Sequence, residues 1–328
     1  MKAIIVGLGG WGSSWAQVIE DSPDWEIAGW VDVNPHALHN AVANLAADPK
    51  LCFPTLKEAV EKVSADAAVI ITPPNSGRLA DVTTAMDAGL HVLAEKPLTD
   101  SLEDAYLMLQ RHRGSPLKFM VAQNYRFFAA STHMRDAVRS GSLITDHRSL
   151  ISGLGPLGYA NVLYHMAVNA PGIHAADMEN GFILSMCIHH LDTMRFVFGE
   201  PQTVSAHTWN PPWSWSKSDA CVSAILTYPG DVRVNYFAGW AARRNETDWY
   251  GHWRLEFEKA SLFTDGASVI LGSEKVETGA SNTQNTRLEV LNEFTSAIRE
   301  DRTPACSIED NIKTLEMAFA IIESARKA

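Results

Sequence analysis

The stretch Gly7-Leu8-Gly9-Gly10-Trp11-Gly12 directly follows the apolar run Ala3-Ile4-Ile5-Val6. Its glycines at positions 7, 9 and 12 match the pattern G-x-G-x-x-G, and a helical pattern runs from Ser13 to Glu20. In a strand–turn–helix, the first glycine permits a tight turn, the second lets the backbone approach a pyrophosphate, and the third allows close helix packing. The positive helix N-terminus then attracts the phosphates. We therefore predict a dinucleotide-binding turn at residues 7–12.

An acidic residue follows at the distance that such a turn requires. Asp32 lies twenty residues after Gly12, at the end of a second apolar run from Trp25 to Val31. A carboxylate there accepts hydrogen bonds from both ribose hydroxyls of the adenosine and repels a 2′-phosphate, so the sequence favours NAD over NADP. The alternative is that Asp32 only forms a turn beside Asn34.

A third informative stretch is Glu95-Lys96-Pro97, which follows the strand pattern His91–Ala94. A lysine at the end of a buried strand is costly unless its ammonium is paired or used. Burial lowers the pKa of a lysine, which suits Lys96 to exchanging a proton with a reacting hydroxyl. The alternative is a salt bridge between Lys96 and Glu95.

Strand and helix patterns alternate over residues 1–123. This alternation predicts an α/β domain with a doubly wound parallel sheet, whose ligand lies at the carboxyl ends of the strands. The predicted cofactor-contacting residues at these ends, besides the glycine turn and Asp32, are Thr72, Pro73, Asn75, Glu95 and Lys96.

Residues 124–328 are predicted to form a second, α+β domain. Consecutive strand patterns over residues 203–271, with a turn at Tyr228-Pro229-Gly230-Asp231, indicate a large open and mainly antiparallel sheet. The glycine-rich stretch over residues 153–180 shows no clear periodicity, and the last helices are expected to be able to pack back on the first domain. Since an open apolar face must be covered, we predict a homodimer or homotetramer that assembles through this sheet.

A helix predicted over residues 181–198 carries Ser185, His189 and Asp192 at i, i+4 and i+7, which places them on one face. His189 is suited to exchange a proton with a substrate hydroxyl, and Asp192 to orient it or bind substrate. The alternative for His189 is a hydrogen-bonded core histidine, and for His190 this is the favoured interpretation. We predict no metal site, because neither H-E-x-x-H nor paired C-x-x-C spacing occurs.

Composition excludes several classes of function. The formal net charge of −11 argues against nucleic acid and anionic membrane surfaces as partners. No apolar run approaches the ~20 residues of a membrane helix, and the glycines near the N-terminus argue against a signal peptide. The four cysteines lack paired spacing and are interpreted as reduced thiols of a cytoplasmic protein: Cys52, Cys187, Cys221 and Cys306.

Taken in order along nearly the whole chain, these elements resemble the glucose–fructose oxidoreductase / inositol dehydrogenase / MocA (Gfo/Idh/MocA) family. The motifs that carry the likeness are Gly7–Gly12, Asp32, Thr72-Pro73-Pro74-Asn75, Ala88–Val92 running into Glu95-Lys96-Pro97, Asn124-Tyr125-Arg126-Phe127 and His189-His190-Leu191-Asp192. The resemblance implies an N-terminal Rossmann domain that binds NAD(P) and a C-terminal domain that supplies substrate residues and the oligomer interface. It implies that Lys96 is the catalytic lysine, His189 the catalytic histidine, and Arg126 and Asp192 residues of the substrate pocket.

Two positions depart from the family pattern. Many members carry an aspartate four residues before the catalytic histidine, where this chain has Ser185, which we also assign to the substrate pocket. A serine lacks the carboxylate charge, so His189 is expected to be a weaker base, or the proton relay to run mainly through Lys96. A histidine common after the Thr-Pro turn is replaced by Arg78.

The sequence thus predicts an NAD-dependent dehydrogenase that oxidises a hydroxyl of a sugar or polyol by hydride transfer to nicotinamide. Lys96 and His189 are expected to handle the proton. Two alternatives stay open at this point. One is a glycoside-cleaving enzyme of the same family that retains its NAD, and the other is a non-catalytic NAD-sensing binding protein.

Overall fold

The computed structural model describes residues 1–73, 77–144, 150–168, 175, 178–278 and 283–328. The chain divides into two compact units, each with its own sheet. The first comprises residues 1–124 and 283–313, and the second residues 125–282 and 314–328. Among the described residues, no helix has both the length and the apolar character needed to cross a membrane.

The sheet of the first unit has six strands. They are β1 (Lys2–Val6), β2 (Glu26–Val31), β3 (Cys52–Phe53), β4 (Ala67–Ile70), β5 (His91–Ala94) and β6 (Phe119–Val121). Their order is β3-β2-β1-β4-β5-β6, and every neighbouring pair is parallel. This is the doubly wound order in which the direction of winding reverses between β1 and β4. The predicted Rossmann sheet is therefore confirmed.

Helices connect these strands. They are α1 (Gly10–Glu20), α2 (Pro35–Asn44), α3 (Leu56–Lys62), α4 (Arg78–Asp87) and α5 (Leu102–His112). Asn34 caps α2 by accepting a hydrogen bond from the backbone amide of His36 at 3.0 Å, and Thr55 and Ser101 cap α3 and α5 in the same way. Such caps satisfy amides that have no partner within the helix.

The second unit contains an eight-stranded sheet. Its strands are β9 (Leu157–His165), β10 (Thr203–Trp209), β11 (Cys221–Tyr228), β12 (Val232–Gly239), β13 (His252–Phe257), β14 (Ser261–Thr264), β15 (Ser268–Leu271) and β16 (Glu274–Glu277). The order is β10-β11-β12-β9-β13-β14-β15-β16, and only the β12–β9 pair is parallel. Two short strands, β7 (Ser142–Ile144) and β8 (Leu150–Ser152), pair separately. The predicted open, mainly antiparallel sheet is confirmed.

The prediction that residues 153–180 are irregular is wrong for β9, which lies in the middle of this sheet. Ala160, Val162 and Tyr164 point to the buried face, whereas Tyr159 and Leu163 point to the other face and are partly exposed. Because large apolar residues occupy both faces, the strand lacks the apolar–polar alternation by which a half-buried strand is recognised.

The remaining helices are α6 (Ala129–Ser140), α7 (Ile188–Phe198), α8 (Thr283–Arg299) and α9 (Ile308–Lys327). The helix predicted over residues 181–198 is present, but its segment Ile183–Cys187 is a π-helix, and regular α-helix resumes at α7. α7 covers the buried face of the large sheet, where the Phe198 ring packs 5.6 Å from that of Tyr228. Single π turns inside α-helices occur frequently at functional sites.

Candidate active site

The glycine turn between β1 and α1 has the geometry that its motif predicts. Gly7 adopts a positive φ of 93°, and a side chain there would lie 2.8 Å from the backbone nitrogen of Thr72. A Cβ on Gly12 would lie 1.9 Å from the carbonyl oxygen of Gly7, so only glycine lets α1 begin this close to β1. A Cβ on Gly9, by contrast, would have no protein atom within 4 Å. Protein atoms thus fill the space beside Gly7 and Gly12, whereas the space beside Gly9 is open, as a bound pyrophosphate requires.

Asp32 follows β2 and is held beside this turn. Its carboxylate accepts a hydrogen bond from the backbone amide of Leu8 at 2.6 Å and another from that of Asn34 at 2.8 Å. The first turn of α1, all of which is described, contains no acidic residue to compete with an anion at the helix N-terminus. The turn, the helix start and Asp32 therefore fit the pyrophosphate and adenosine ribose of a dinucleotide.

Glu95 connects the dinucleotide turn to the turn that carries Lys96. Its buried carboxylate accepts hydrogen bonds from the indole nitrogens of Trp11 and Trp15, both at 2.8 Å. The other carboxylate oxygen accepts a hydrogen bond from the backbone amide of Lys96 at 2.8 Å. The guanidinium of Arg287 lies 4.6 Å from the centre of the Trp11 ring. The predicted cofactor turn and the predicted catalytic lysine therefore adjoin one another within the first unit.

Lys96 is only partly exposed, at the carboxyl end of β5. Removal from water lowers the pKa of the Lys96 amine below its usual range; the Glu95 carboxylate opposes this effect and the Arg78 guanidinium adds to it. The lysine is thus displaced toward its neutral form, which is the form that accepts a proton.

The end of β4 lies beside the same turns. The Thr72 hydroxyl donates to the carboxylate of Asp81 at 3.1 Å, and the Thr72 carbonyl accepts a hydrogen bond from the Arg78 guanidinium. Pro73 is described beside it, whereas the predicted contact residue Asn75 lies outside the described residues.

In the second unit, His189 is the second residue of α7, directly after the π-helix. Its ring is 7% exposed and stacks on that of Tyr125, with 4.3 Å between centroids and 14° between planes. The His189 carbonyl accepts a hydrogen bond from the Thr193 hydroxyl at 2.9 Å. His189 and Asp192 lie within regular α-helix and keep the i, i+3 spacing of neighbours on one face. Ser185 lies in the π-helix, so the α-helical spacing used to place it on that face does not hold there.

Arg126 and Asp192, both predicted substrate residues, bind each other. Two hydrogen bonds of 2.5 and 2.7 Å join the buried guanidinium to the buried carboxylate in a bidentate pair. The Thr314 hydroxyl donates a third hydrogen bond to Asp192 at 2.9 Å and accepts one from Arg195 at 2.7 Å. This network fixes the carboxylate that follows His189 by three residues.

His190 is a core residue, as its favoured interpretation states. Its Nε2 lies 3.1 Å from the carbonyl of Trp249, so this nitrogen is the protonated one, and its Nδ1 accepts from the Tyr236 hydroxyl at 3.0 Å. Complete burial lowers the pKa of His190 to about 4. The ring is therefore neutral near pH 7 and serves as a hydrogen-bonded link between α7 and the sheet.

Comparison with known proteins assigns the family. Residues 1–123 match the model described as the oxidoreductase family with an NAD-binding Rossmann fold, and residues 155–263 match the GFO/IDH/MocA C-terminal domain. The two matches together cover more than half of the chain. The chain therefore belongs to the Gfo/Idh/MocA family of NAD(P)-binding oxidoreductases.

Three known proteins illustrate the likeness. The myo-inositol 2-dehydrogenase of Thermotoga maritima is 22% identical over 99% of this chain and 96% of its own length. D-xylose 1-dehydrogenase (NADP(+)) 2 of Haloferax volcanii is 26% identical over 87% of this chain and 86% of its own. An oxidoreductase of Agrobacterium radiobacter, solved with NAD+, L-tartaric acid and magnesium, superposes with a TM-score of 0.89 at 19% identity, over 99% of this chain and 96% of that one.

The structure also shows contacts that the motifs do not predict. Trp15 hydrogen-bonds Glu95, and its position four residues after Trp11 on α1 is a signal that sequence reasoning could have used. Tyr125 belongs to a family motif, but nothing in its spacing predicts that it stacks on His189. Thr314 likewise reaches Asp192 from far along the chain.

Proposed function

We propose that this protein is an NAD-dependent dehydrogenase that oxidises a hydroxyl of a sugar or polyol. The observation that carries the proposal is the placement of Lys96: its turn is joined through Glu95 to the indoles of α1, directly beside the dinucleotide turn. A lysine with a lowered pKa at this point is suited to take the proton of a hydroxyl that is being oxidised.

Oxidation of a secondary alcohol or hemiacetal removes a hydride from carbon and a proton from oxygen. When bound at the dinucleotide turn and Asp32, NAD+ would supply the hydride acceptor. The neutral amine of Lys96 takes the hydroxyl proton and becomes an ammonium, so the carbonyl product forms without an uncompensated charge. Desolvation of Lys96 favours this step, because it makes the neutral amine available at a lower pH than in water.

His189 is the second proton-handling residue of the proposal. Stacking on Tyr125 orients the ring, which a general acid–base residue needs. Arg126, Ser185 and Asp192 are proposed to position the substrate. Since Arg126 and Asp192 pair with each other, we propose that together they form one wall of the substrate pocket. This wall offers hydrogen bonds, and its net charge is zero.

We propose NAD rather than NADP as the cofactor. The carboxylate of Asp32, fixed by two backbone amides, would lie next to a 2′-phosphate and repel it. One relative named above uses NADP+, so the family alone does not decide between the two.

We also propose that the protein forms a homodimer or homotetramer through the sheet face opposite α7. Partly exposed apolar side chains share this face across neighbouring strands: Tyr159 and Leu163 on β9, Ile225 on β11 and Trp209 on β10. A hollow of about 370 Å³ beside Trp209 and Phe237 would accept side chains of a second copy. The four free thiols support a cytoplasmic location.

The test is NADH absorbance when the purified protein is mixed with NAD and a panel of pentoses, hexoses, sugar acids and inositols. We expect one group of related compounds to give NADH, with NADP at least tenfold less effective. A Lys96→Ala variant should bind NADH, as measured by its fluorescence, and form almost no product.

The panel also separates the alternatives. Product without net NADH would identify retained-cofactor chemistry, and NADH binding without turnover of any compound would identify a sensor. Either outcome would overturn the proposal.

A further inference from the structure

Arg78 is buried beside the Lys96 turn and is 2% exposed. It is the first residue of α4, and it extends back toward the ends of two strands. One guanidinium nitrogen donates to the carbonyls of Glu95 and Pro97, with a longer contact of 3.4 Å to that of Leu98. The other donates to the carbonyl of Thr72. One side chain thus ties the turn after β4 to both sides of Lys96.

This arrangement uses properties that only arginine has. A guanidinium presents several donors in a rigid plane, so it can serve carbonyls from two turns at once. The neutral histidine that the resemblance leads one to expect here has a single N–H donor. Lysine keeps the charge but concentrates its donors at one flexible point.

Arg78 also places a fixed charge near Lys96. Burial lowers the pKa of Arg78 to about 10, and the carboxylates of Glu95, Asp81 and Asp100 act against that effect, so the guanidinium stays charged at neutral pH. The charged groups that act on Lys96 are then Glu95, which favours the ammonium, and Arg78, which disfavours it. The Glu95 carboxylate is shared with two indoles and a backbone amide, which fixes its distance from the lysine.

We propose that Arg78 is a positioning residue for Lys96: it holds both sides of the turn that carries the lysine, and it places a fixed positive charge beside that turn. The inference rests on the proposed role of Lys96 as the proton acceptor. It extends that role by assigning the control of Lys96 to a residue that contacts neither substrate nor cofactor in the proposed mechanism.

The first test does not depend on turnover. Competitive labelling with acetic anhydride over a pH series, followed by mass spectrometry, gives the titration midpoint of Lys96 against exposed Lys57 in the same sample. We expect the titration midpoint of Lys96 to rise in Arg78→Gln, which lacks the charge. It should also rise in Arg78→His, because histidine is neutral in the alkaline range where Lys96 titrates. It should stay low in Arg78→Lys, which keeps the charge. A surface variant, Arg111→Gln, should leave it unchanged. An unchanged midpoint in Arg78→Gln and Arg78→His would overturn the proposal.

The second test separates charge from position. With a substrate from the panel, Arg78→Gln should lose about 10- to 100-fold in kcat, because misplacement of a reacting group is costly, with little change in KM. Its ascending pH limb should move to higher pH. Arg78→Lys should lose kcat but keep the limb, since it keeps the charge. A purely structural role would predict an unshifted limb in both variants. A kcat of Arg78→Gln within twofold of wild type would contradict the positioning role.

Together, the two tests distinguish failure of the proposed function from failure of the proposed role of Arg78. If no compound of the panel yields NADH, the proposed function fails, yet the labelling experiment still decides whether Arg78 controls Lys96. If Arg78→Gln does not fold, as judged by thermal unfolding and NADH binding, a comparison of Arg78→Lys with Arg78→His answers the same question.

Discussion

The dinucleotide turn of the first unit and helix α7 of the second differ in what fixes their functional atoms. In the turn, backbone geometry decides: Gly7 and Gly12 leave no room for a side chain, and Asp32 is held by two backbone amides. In α7, buried side chains decide: His189 stacks on Tyr125, and Asp192 forms an ion pair with Arg126, 66 positions away in sequence. Backbone sites are thus encoded locally, whereas side-chain sites depend on partners that only folding brings together.

Breaking the Arg126–Asp192 pair is expected to have the largest effect on stability. Asp192→Asn leaves a buried guanidinium without its counter-charge, which costs about 3–5 kcal/mol. Urea unfolding measures the loss. The double variant Arg126→Met/Asp192→Asn should recover part of it. Asp24→Asn, which breaks the surface pair with Arg299, should cost much less than Asp192→Asn. Equal losses in the buried and surface variants would contradict this view of the second unit.

The buried His190 predicts an acid sensitivity in the second unit. Its pKa is about 4 in the folded protein, against 6.5 for the unconstrained side chain. Between these values the unfolded chain takes up a proton that the folded chain does not, so stability falls as pH falls from 6.5 toward 4. The slope from this group is at most about 1.4 kcal/mol per pH unit.

His190→Gln removes the titrating group and should flatten this part of the stability curve, measured by urea unfolding at pH 4.5, 5.5 and 6.5. His36→Gln, an exposed histidine of α2, is the matched control and should keep the wild-type slope. A His190→Gln curve parallel to that of wild type would show that another group is responsible.

In the dinucleotide turn, two alanine substitutions should separate packing from binding. Gly12→Ala collides with the Gly7 carbonyl and should lower stability by about 1–3 kcal/mol. Gly9→Ala meets no protein atom within 4 Å, so its melting temperature should stay near that of wild type while NADH binding weakens at least about tenfold. Calorimetry and NADH fluorescence give the two quantities. Tight NADH binding by Gly9→Ala would show that the open side of the turn is not the cofactor site.

The last comparison in the dinucleotide turn concerns Asp32. Its loss removes charge-assisted hydrogen bonds to the ribose, so Asp32→Asn should weaken NAD binding about 10- to 100-fold and narrow the preference over NADP. Asp48→Asn is the matched control, because Asp48 also accepts a hydrogen bond from a backbone amide two residues ahead. If both variants bind NAD like wild type, Asp32 only forms its turn.

The same contrast explains what the sequence could predict. The glycine turn, Asp32 and the strand end at Lys96 follow from local spacing, because each depends on neighbours within a few residues or on the fixed strand order. β9 could not be predicted from the sequence, because Tyr159 and Leu163 are apolar residues on the face that is expected to be polar. The one-face argument for Ser185 assumed a constant α-helical period, which the π-helix interrupts.

Partners distant in sequence were beyond this reasoning. Thr314 contacts Asp192 although 122 residues separate them in sequence, and no pattern in either segment predicts this contact. In the sequence, Arg78 stands out only because the family pattern commonly has a histidine at this position. Its contacts with the carbonyls of two turns depend on its burial, which the sequence of α4 does not reveal.

The most direct test of the central claim is the pH dependence of kcat/KM for the sugar or polyol that yields NADH, measured for wild type and for Lys96→Ala. We predict that wild type shows an ascending limb at a pH below the ordinary lysine value of 10.5, reflecting the lowered pKa of Lys96. The variant should lose about 10²- to 10⁴-fold in rate, together with that limb, while still binding NADH. A variant that keeps both the rate and the limb would show that Lys96 is not the proton acceptor.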